Sequence, residues 1–341
     1  MYKWLDSTLD KLLKEHHHPH HALLIQGKEG VGLSSLTEAF VKVLLCENPA
    51  YLGKTLSHAC GQCASCHLID SGNHPDFLYL SPETQEVLIS EAESVPDKSA
   101  AASTHIKIQA VRALIDSLTV TTHRNVRRII VVDPADALNA IAANALLKVL
   151  EEPAPNVIFL LLSTQPGKLL PTIRSRCRMF IVSGDNMQEK ALAWLEEQNI
   201  PNALGWLEAS RGAPLAAQQL ALEFDSLEIK ARSKAWCTAD LPQVLATAQG
   251  LKRPDLKAWL FWWYRFITDC LRVSQQGQPI FFKYDRGALH NLARRQTPFA
   301  WMKYLNLVET QLRSAEHPLS VALVTDTLLV QYCEMFLTKQ H

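Results

Sequence analysis

The stretch from His21 to Phe40 constrains the fold more than any other part of the chain. The apolar run from Ala22 to Ile25 is typical of a buried strand, and a glycine-rich turn, Gly27 to Gly32, follows it. Ser34 and Ser35 then stand as candidate caps of a helix whose apolar residues recur at helical spacing. Strand, glycine loop and helix in this order predict a phosphate-binding loop, with an unrelated glycine-rich turn as the alternative.

This loop lacks the residue on which phosphate binding depends. A working loop reads G-x-x-x-x-G-K-[ST], in which the lysine neutralises the β- and γ-phosphates. Gly27, Gly30 and Gly32 supply the glycines, and Ser34 holds the position of the metal ligand. Leu33 stands in the lysine position and offers neither a charge nor a hydrogen-bond donor. The spacing of the glycines predicts a nucleotide site, and the leucine at position 33 predicts that this site is degenerate.

A second position of the same kind of site is also altered. The run Ile129 to Val132 is typical of a buried parallel strand, and it ends at Asp133, where a Walker-B aspartate belongs. The next residue is Pro134, which cannot activate water. A helix over Leu138 to Glu152 and a strand over Val157 to Leu162 follow. Strands alternate with helices across residues 22 to 182, which predicts an α/β domain with a mainly parallel sheet.

Length and charge narrow the class of protein. A chain of 341 residues predicts about two or three domains. Lys plus Arg and Asp plus Glu both number 34, so binding of nucleic acid by bulk charge is disfavoured. No apolar run approaches the ~20 residues of a membrane span, and the N-terminus lacks a signal-peptide core. We expect a cytoplasmic protein with a solvated histidine linker over residues 16 to 21 and an exposed, mobile loop over residues 81 to 104.

A cysteine cluster predicts a metal site. Three cysteines recur at steps of three, which places their sulfur atoms on one side of a tight turn, and a fourth lies upstream. The four are Cys46, Cys60, Cys63 and Cys66. Thiolates at C-x2-C spacing favour Zn²⁺ in a closed structural site, and Asp70 stands where an iron–sulfur run needs another cysteine. His58 and His67 compete with Cys46 for the fourth ligand position.

The second half of the chain carries helices without a chemical motif. Trp259, Trp262, Trp263 and Phe266 recur at the spacing of one helix face. We interpret them as core residues, although a stacking platform for nucleic-acid bases has the same composition. Cys237, Cys270 and Cys333 are interpreted as small core residues.

Together these features resemble the AAA+ family, and within it the clamp-loader branch of the bacterial DNA polymerase III holoenzyme. Five features in a fixed order carry the resemblance. They are the loop frame Gly27 to Ser34, the four-cysteine insert, the strand ending at Asp133, the helix motif from Asn144 to Pro153, and the motif Ser175-Arg176-Cys177. The last two are the most specific to clamp loaders, and the features together span residues 21 to 182.

The resemblance implies roles for particular residues. Arg176, flanked by Ser175 and Cys177, corresponds to the arginine finger that reaches into the ATP site of a neighbouring subunit. Ser163 and Thr164 match the polar end of the sensor-1 strand. Leu215 occupies the position of the sensor-2 arginine. The finger therefore remains while the loop lysine, the glutamate and the sensor arginine are absent, which implies a subunit that completes a partner's site and has lost its own.

The resemblance also implies an architecture and partners. We expect an AAA+ α/β domain, RecA-like, over residues 1–184 with a zinc module at 46–66, a helical lid at 185–226 and a helical collar at 227–341. The expected partners are the gamma/tau motor subunits and the delta subunit in a pentameric ring, the sliding clamp, and primed DNA through the complex. The expected cofactor is structural Zn²⁺, and the isolated chain is not expected to hydrolyse ATP, although its holoenzyme is a DNA-directed DNA polymerase in the nucleoid-associated replisome.

Two other functions fit part of the sequence. An active AAA+ motor subunit has the same loop frame, but Leu33, Pro134 and Leu215 count against it. A zinc-dependent nucleic-acid-binding module has a cysteine knuckle, but few basic residues lie near Cys60 to Cys66.

Overall fold

A computed structural model describes residues 1–15, 20–52, 55–85, 105–118, 127–183, 186–283, 286–314 and 320–337. The chain forms two compact units, Met1–Ala191 and Leu192–His341. The first unit contains all the strands of the described residues, and the second is built from helices. The predicted α/β domain followed by a helical region is confirmed.

The first unit is organised around a five-stranded parallel sheet. Its strands are β1 (Ala22–Gln26), β4 (Phe77–Leu80), β5 (Arg128–Val132), β6 (Val157–Ser163) and β7 (Arg178–Ile181), in the spatial order β4-β5-β6-β1-β7. The central strands β5 and β6 are buried along their whole length, as their continuous apolar runs predict. Since all strands are parallel, their carboxyl ends meet at one edge of the sheet, where the loop after β1, Asp133 and Ser163 come together.

Helices cover this sheet. They are α1 (Asp6–Glu15), α2 (Leu33–Leu45), α3 (Ala64–Asp70), α4 (Ile108–Ser117), α5 (Ala140–Glu151) and α6 (Pro171–Arg174). Apolar residues of α4, α5 and α6 pack with those of β5 and β6 in one buried cluster. Burial of these apolar side chains, at about 25 cal/mol per Å², is the main stabilising term of the unit.

The start of α2 differs from the prediction. The helix begins at Leu33, and its N-cap is Gly32, which has a left-handed φ of 96° and makes no side-chain cap bond. Ser34 and Ser35 therefore lie within the first turn and do not cap the helix. A left-handed backbone favours glycine. Gly32 therefore takes the N-cap position at the end of the loop. In α5, by contrast, the Asn139 carboxamide oxygen accepts from the Ala142 N–H at 2.8 Å and caps the helix.

The cysteine insert lies between α2 and β4. It contains an antiparallel hairpin of β2 (Ala50–Leu52) and β3 (Thr55–His58), followed by α3. The Cys63 side chain accepts from the Cys66 N–H and caps α3. The knuckle thus continues directly into a helix.

The second unit packs around an aromatic core. After Met187–Glu197, which contains the boundary between the units, the helices are Ala203–Ala209, Pro214–Ser226, Ile229–Thr238, Leu241–Ala246, Leu256–Ser274, Arg286–Ala293, Pro298–Arg313 and Val321–Leu337. Trp259, Trp262, Trp263 and Phe266 are fully buried, which confirms the core interpretation of these aromatics. Cys270 and Cys333 are buried as predicted, and Cys237 is half-buried.

A buried carboxylate ties a loop to this core. Both oxygens of Asp269 accept backbone N–H groups, from Ile280, Phe281 and Phe282, each at 2.8 Å. Asp269 is fully buried. These three charge-assisted bonds offset part of the desolvation of the carboxylate, although burial still raises the pKa of Asp269, and they fix the segment after the long helix Leu256–Ser274.

Some predictions fall partly or wholly outside the described residues. Residues 16–19 of the histidine linker and residues 86–104 of the predicted loop are among them. The division at residue 226 between lid and collar stays a prediction. Among the described residues, no helix is long and apolar enough to span a membrane.

Candidate nucleotide and metal sites

The glycine loop has the geometry of a phosphate-binding loop. It connects the buried strand β1 to α2, and Gly30 and Gly32 both adopt positive φ, 77° and 96°. A Cβ at Gly27 would lie 2.8 Å from Leu33 Cδ2, so the loop can close over this side chain only because residue 27 is glycine. The predicted loop frame is therefore present.

Side chains of the chain itself pack against this loop. Leu33 is only 7% exposed. The Trp4 indole N–H donates to the Val31 carbonyl at 2.9 Å, and a Cβ at Gly32 would lie 3.2 Å from Leu5 Cδ1. Tyr2 stacks on Trp4 with ring centroids 4.5 Å apart. Apolar and aromatic groups thus line the loop, and the position of the phosphate-binding lysine holds a buried leucine.

Two hydroxyl groups converge on Asp133. The Ser34 hydroxyl donates to Asp133 Oδ2 at 2.6 Å, and the Tyr79 hydroxyl donates to the same oxygen at 2.5 Å. Burial, followed by the hydrogen bond to the Asp133 carboxylate, raises the pKa of Tyr79 well above its usual value, so this hydroxyl keeps its proton. In a working site the serine and the aspartate would serve the metal ion, whereas here they bind each other and a tyrosine.

A cleft of about 750 Å³ opens beside this network. Ser34, Thr37, Tyr79 and Thr84 line it together with Glu38. No lysine or arginine is among the described residues that line it. The cleft therefore offers no fixed cation for a triphosphate.

The end of β6 is polar, as predicted for a sensor strand. Ser163 is fully buried, and its hydroxyl donates to Asp136 Oδ1 at 2.7 Å. Its Oγ also accepts the Gln165 N–H at 3.1 Å. Leu215, the predicted counterpart of the second sensor, lies in the first turn of Pro214–Ser226 in the second unit and is half-buried.

The Ser-Arg-Cys motif follows α6. Cys177 is buried, and burial raises the pKa of its thiol to about 12, so it is a neutral packing residue. The Ser175 hydroxyl donates to the Thr172 carbonyl at 3.0 Å and closes the last turn of α6. Arg176 keeps its guanidinium partly exposed, with 34% of its side chain accessible. Cys177 is therefore inaccessible, whereas Ser175 is exposed and Arg176 is partly exposed at the surface.

The four cysteines meet in the insert. Their Sγ atoms all lie within 4.8 Å of one another, and three of the separations are 3.5 Å for Cys46–Cys60, 3.9 Å for Cys46–Cys63 and 4.0 Å for Cys60–Cys66. A tetrahedron with Zn–S bonds of about 2.3 Å has S···S edges of about 3.8 Å. The donor set and its spacing fit a four-coordinate thiolate site, so this cluster could hold a metal ion.

The four thiols lie in unequal environments: burial raises the pKa of Cys46 and raises that of Cys66 to about 12, whereas backbone N–H groups stabilise the thiolate of Cys60. The N–H groups of Gln62 and Cys63 point at Cys60 Sγ at 3.5 and 3.3 Å, and these bonds lower the pKa of Cys60 to about 6. Cys46 Sγ accepts the Cys60 N–H at 3.3 Å. Thiolates are the form that binds metal, and N–H donors reduce the repulsion among them.

Of the three candidates for the fourth ligand, Cys46 is the one that lies with the other sulfur atoms. Among the described residues, Cys46 completes the group, whereas His58 and His67 are exposed and lie outside it. His58 instead lies 3.2 Å from the Ser57 hydroxyl through its Nδ1.

Three contributors to these sites were missed in the sequence. Tyr79 reaches Asp133 because β4 pairs with β5, and Trp4 reaches the loop from a short helical turn at the N-terminus. Glu151 lies 2.5 Å from an Arg176 guanidinium nitrogen. Each contact joins segments far apart in the chain, and no local spacing signals it.

Comparisons with known proteins identify relatives of this chain. Residues 5–185 match the protein family described as DNA polymerase III, delta subunit. The DNA polymerase III subunit delta' of Pseudomonas aeruginosa is 37% identical over 223 residues, covering 64% of this chain and 61% of the relative. That of Yersinia pestis is 31% identical over 289 residues, covering 80% and 77%. The DNA polymerase III subunit tau/gamma of Haemophilus influenzae is 31% identical over 185 residues, covering 53% and 23%.

The matches differ in how much of each relative they span. The chain spans less than two thirds of the Pseudomonas protein and about three quarters of the Yersinia protein. The family match covers the whole sheet domain, including the cysteine insert and the Ser-Arg-Cys motif. The chain belongs to the delta-prime subunit family of DNA polymerase III.

Proposed function

We propose that this chain is a non-hydrolysing subunit of the DNA polymerase III clamp loader and that it donates Arg176 to the ATP site of a neighbouring subunit. It helps to place the ring-shaped sliding clamp on primed DNA during replication. In this proposal its neighbours are gamma/tau motor subunits and a delta subunit in a pentameric ring, at the replisome in the cytoplasm. The similarity to a tau/gamma subunit supports a place in such an assembly.

The observation that carries the proposal is the contrast between the loop and the finger. The lysine position holds the buried Leu33, and the hydroxyl groups of Ser34 and Tyr79 are bonded to Asp133. Pro134 removes the carboxylate that would activate water. Arg176, in contrast, keeps a partly exposed side chain at the surface of the same unit.

A donated guanidinium has a clear chemical role in the partner's site. Charge develops on the transferred phosphoryl group as the bond to the leaving oxygen breaks, and a fixed cation stabilises that charge. Such arginine fingers raise turnover by about 10³–10⁵. The cysteine cluster has a separate role, since a closed four-thiolate site with structural zinc stabilises the insert and supplies no reaction.

The test is Arg176→Ala in a complex reconstituted with gamma/tau and delta subunits. Assembly, measured by size-exclusion chromatography, should stay unchanged, while clamp- and DNA-stimulated ATP hydrolysis should fall by the share of the neighbouring site. Arg174→Ala is the matched control, because Arg174 is an exposed arginine two positions away. Wild-type hydrolysis and clamp loading by the Arg176→Ala complex would show that the finger assignment is wrong.

The competing function, an active motor, is tested on the isolated chain. The purified wild type and the Asp133→Ala variant are assayed for ATP turnover. Turnover by the wild type that is lost in the variant would place this chain among the active ATPases.

A further inference from the structure

The guanidinium of Arg176 is held by three acceptors of its own chain. Its Nη2 lies 2.5 Å from Glu151 Oε1, and its Nη1 donates to the Thr172 carbonyl at 3.0 Å and to Ser175 Oγ at 3.3 Å. Two of these acceptors belong to the turn that carries the arginine. Glu151 alone comes from another element, the last turn of α5.

The core fixes the distance between these two elements. Leu150, adjacent to Glu151, is 1% exposed, and Ile173 of α6 is fully buried in the same apolar cluster. Pro171 begins α6 and Pro153 follows α5, so both short connections have restricted backbones. The carboxylate therefore approaches the guanidinium from a rigid support.

This ion pair adds little to the stability of the fold. The side chains of Arg176 and Glu151 are 34% and 50% exposed, and exposed pairs of this kind contribute about 0–1 kcal/mol. The ion pair instead restricts the orientation of the long Arg176 side chain. An arginine has many rotamers in water, and a contact that selects one of them removes an ordering cost from any later binding step.

The donor that remains points to what the held arginine can do. Nη1 donates to two acceptors in the turn of the arginine, and the Glu151 carboxylate lies beside Nη2, so among the described residues these contacts leave the Nε–H group to a ligand. The contact with Glu151 restricts the orientation of the guanidinium plane.

We propose that Glu151 is a positioning residue for Arg176, orienting its guanidinium toward the phosphates in the neighbouring subunit's ATP site. This inference rests on the proposed function of Arg176. Glu151 is not itself a catalytic residue, because it acts through the arginine and needs no contact with the nucleotide.

The experiment compares Glu151→Ala with Glu152→Ala in the reconstituted clamp loader. Glu152 is the adjacent exposed glutamate, and it controls for loss of charge at the end of α5. Glu151→Ala should lower kcat for clamp-stimulated ATP hydrolysis roughly two- to tenfold at the affected site, the range for one immobilised side chain, with KM unchanged. Glu152→Ala should behave as the wild type.

Two further variants separate this inference from the proposed function. In the Arg176→Ala background, Glu151→Ala should cause no additional loss, because the group that it positions is gone. An additional loss there, an unchanged or raised kcat in Glu151→Ala alone, or the same loss in Glu152→Ala would overturn the positioning role. If Arg176→Ala itself has no effect, the proposed function fails and the positioning role fails with it; if only Glu151→Ala has none, the finger stands and this inference alone is wrong.

Discussion

Replacing Cys46 by serine should weaken metal binding by the four-cysteine cluster. The three other cysteines come from one short turn, Cys60 to Cys66, so they form a nearly complete site by themselves. Cys46 joins them from the end of α2, with its Sγ 3.5 Å from Cys60 and 3.9 Å from Cys63. The prediction therefore tests whether the fourth ligand is this distant cysteine.

The magnitude follows from the coordination. Structural Zn²⁺ in small thiolate or imidazole sites binds with about 10–16 kcal/mol at neutral pH, so an equal share for each of the four ligands is about 2.5–4 kcal/mol. A loss of this size weakens binding by roughly 10²–10³. Because a bound metal would join the end of α2 to the start of α3, weaker metal binding should also lower the temperature at which the first unit melts.

Metal content by mass spectrometry, competition with a chromophoric chelator and thermal melting measure these effects. His67→Ala and His58→Ala are the matched controls, since both histidines are exposed and lie outside the sulfur cluster. Both controls should keep wild-type metal affinity. Retained affinity in Cys46→Ser together with a loss in His67→Ala would refute the four-cysteine assignment.

Two further predictions concern the loop and the helical unit. Leu33→Lys should show no saturable heat of ATP–Mg²⁺ binding in calorimetry, because Tyr79 and Ser34 still bind the Asp133 carboxylate. The same variant should have a free energy of unfolding lower by about 1–3 kcal/mol, because burial of the leucine is lost. Micromolar ATP binding by Leu33→Lys would contradict the first of these predictions. Asp269→Asn should destabilise the second unit by about 1–3 kcal/mol, because one carboxamide oxygen cannot serve three N–H donors, while Asp326→Asn at an exposed position should not. Urea unfolding measures both free energies, and equal stability of the two asparagine variants would show that the Asp269 bonds contribute nothing net.

Much of the first unit was predictable because its strands are continuous apolar runs. Residues 129–132 and 157–162 carry no polar residue, which is what burial on both faces of a parallel sheet requires. The order of the strands was not predictable in this way. β7 lies beside β1 although most of the domain separates them in the chain, and such a pairing depends on contacts that no local pattern encodes.

Some residues of the candidate site could be predicted from the sequence, and others could not. Leu33 and Pro134 could be recognised from their positions within motifs, since the motif fixes which chemistry each position needs. Tyr79 could not, because its contact with Asp133 exists only when β4 pairs with β5 in the observed register. The capping prediction for Ser34 and Ser35 was wrong since Gly32, in a left-handed conformation, already ends the loop.

The cysteine cluster shows what spacing can and cannot decide. Steps of three residues place Cys60, Cys63 and Cys66 on one turn, which the sequence displays directly. The choice among Cys46, His58 and His67 depends on how the hairpin β2–β3 folds back, and this became clear only in three dimensions. In the second unit, the periodic aromatics identified the core because a fully buried helix face needs only its own spacing to be recognised.

The distribution of tryptophans gives each unit its own optical signal. Seven of the eight lie in Leu192–His341, where the indoles of Trp259 and Trp263 stack with centroids 5.7 Å apart and planes inclined by only 4°. Stacked indoles couple their electronic transitions, so near-ultraviolet circular dichroism should report the folding of the helical unit. Trp4 stands apart as the single indole of the first unit, bonded to the carbonyl of Val31 in the glycine loop. The difference in fluorescence between the wild type and Trp4→Phe therefore isolates a reporter of that loop, free of the seven other emitters.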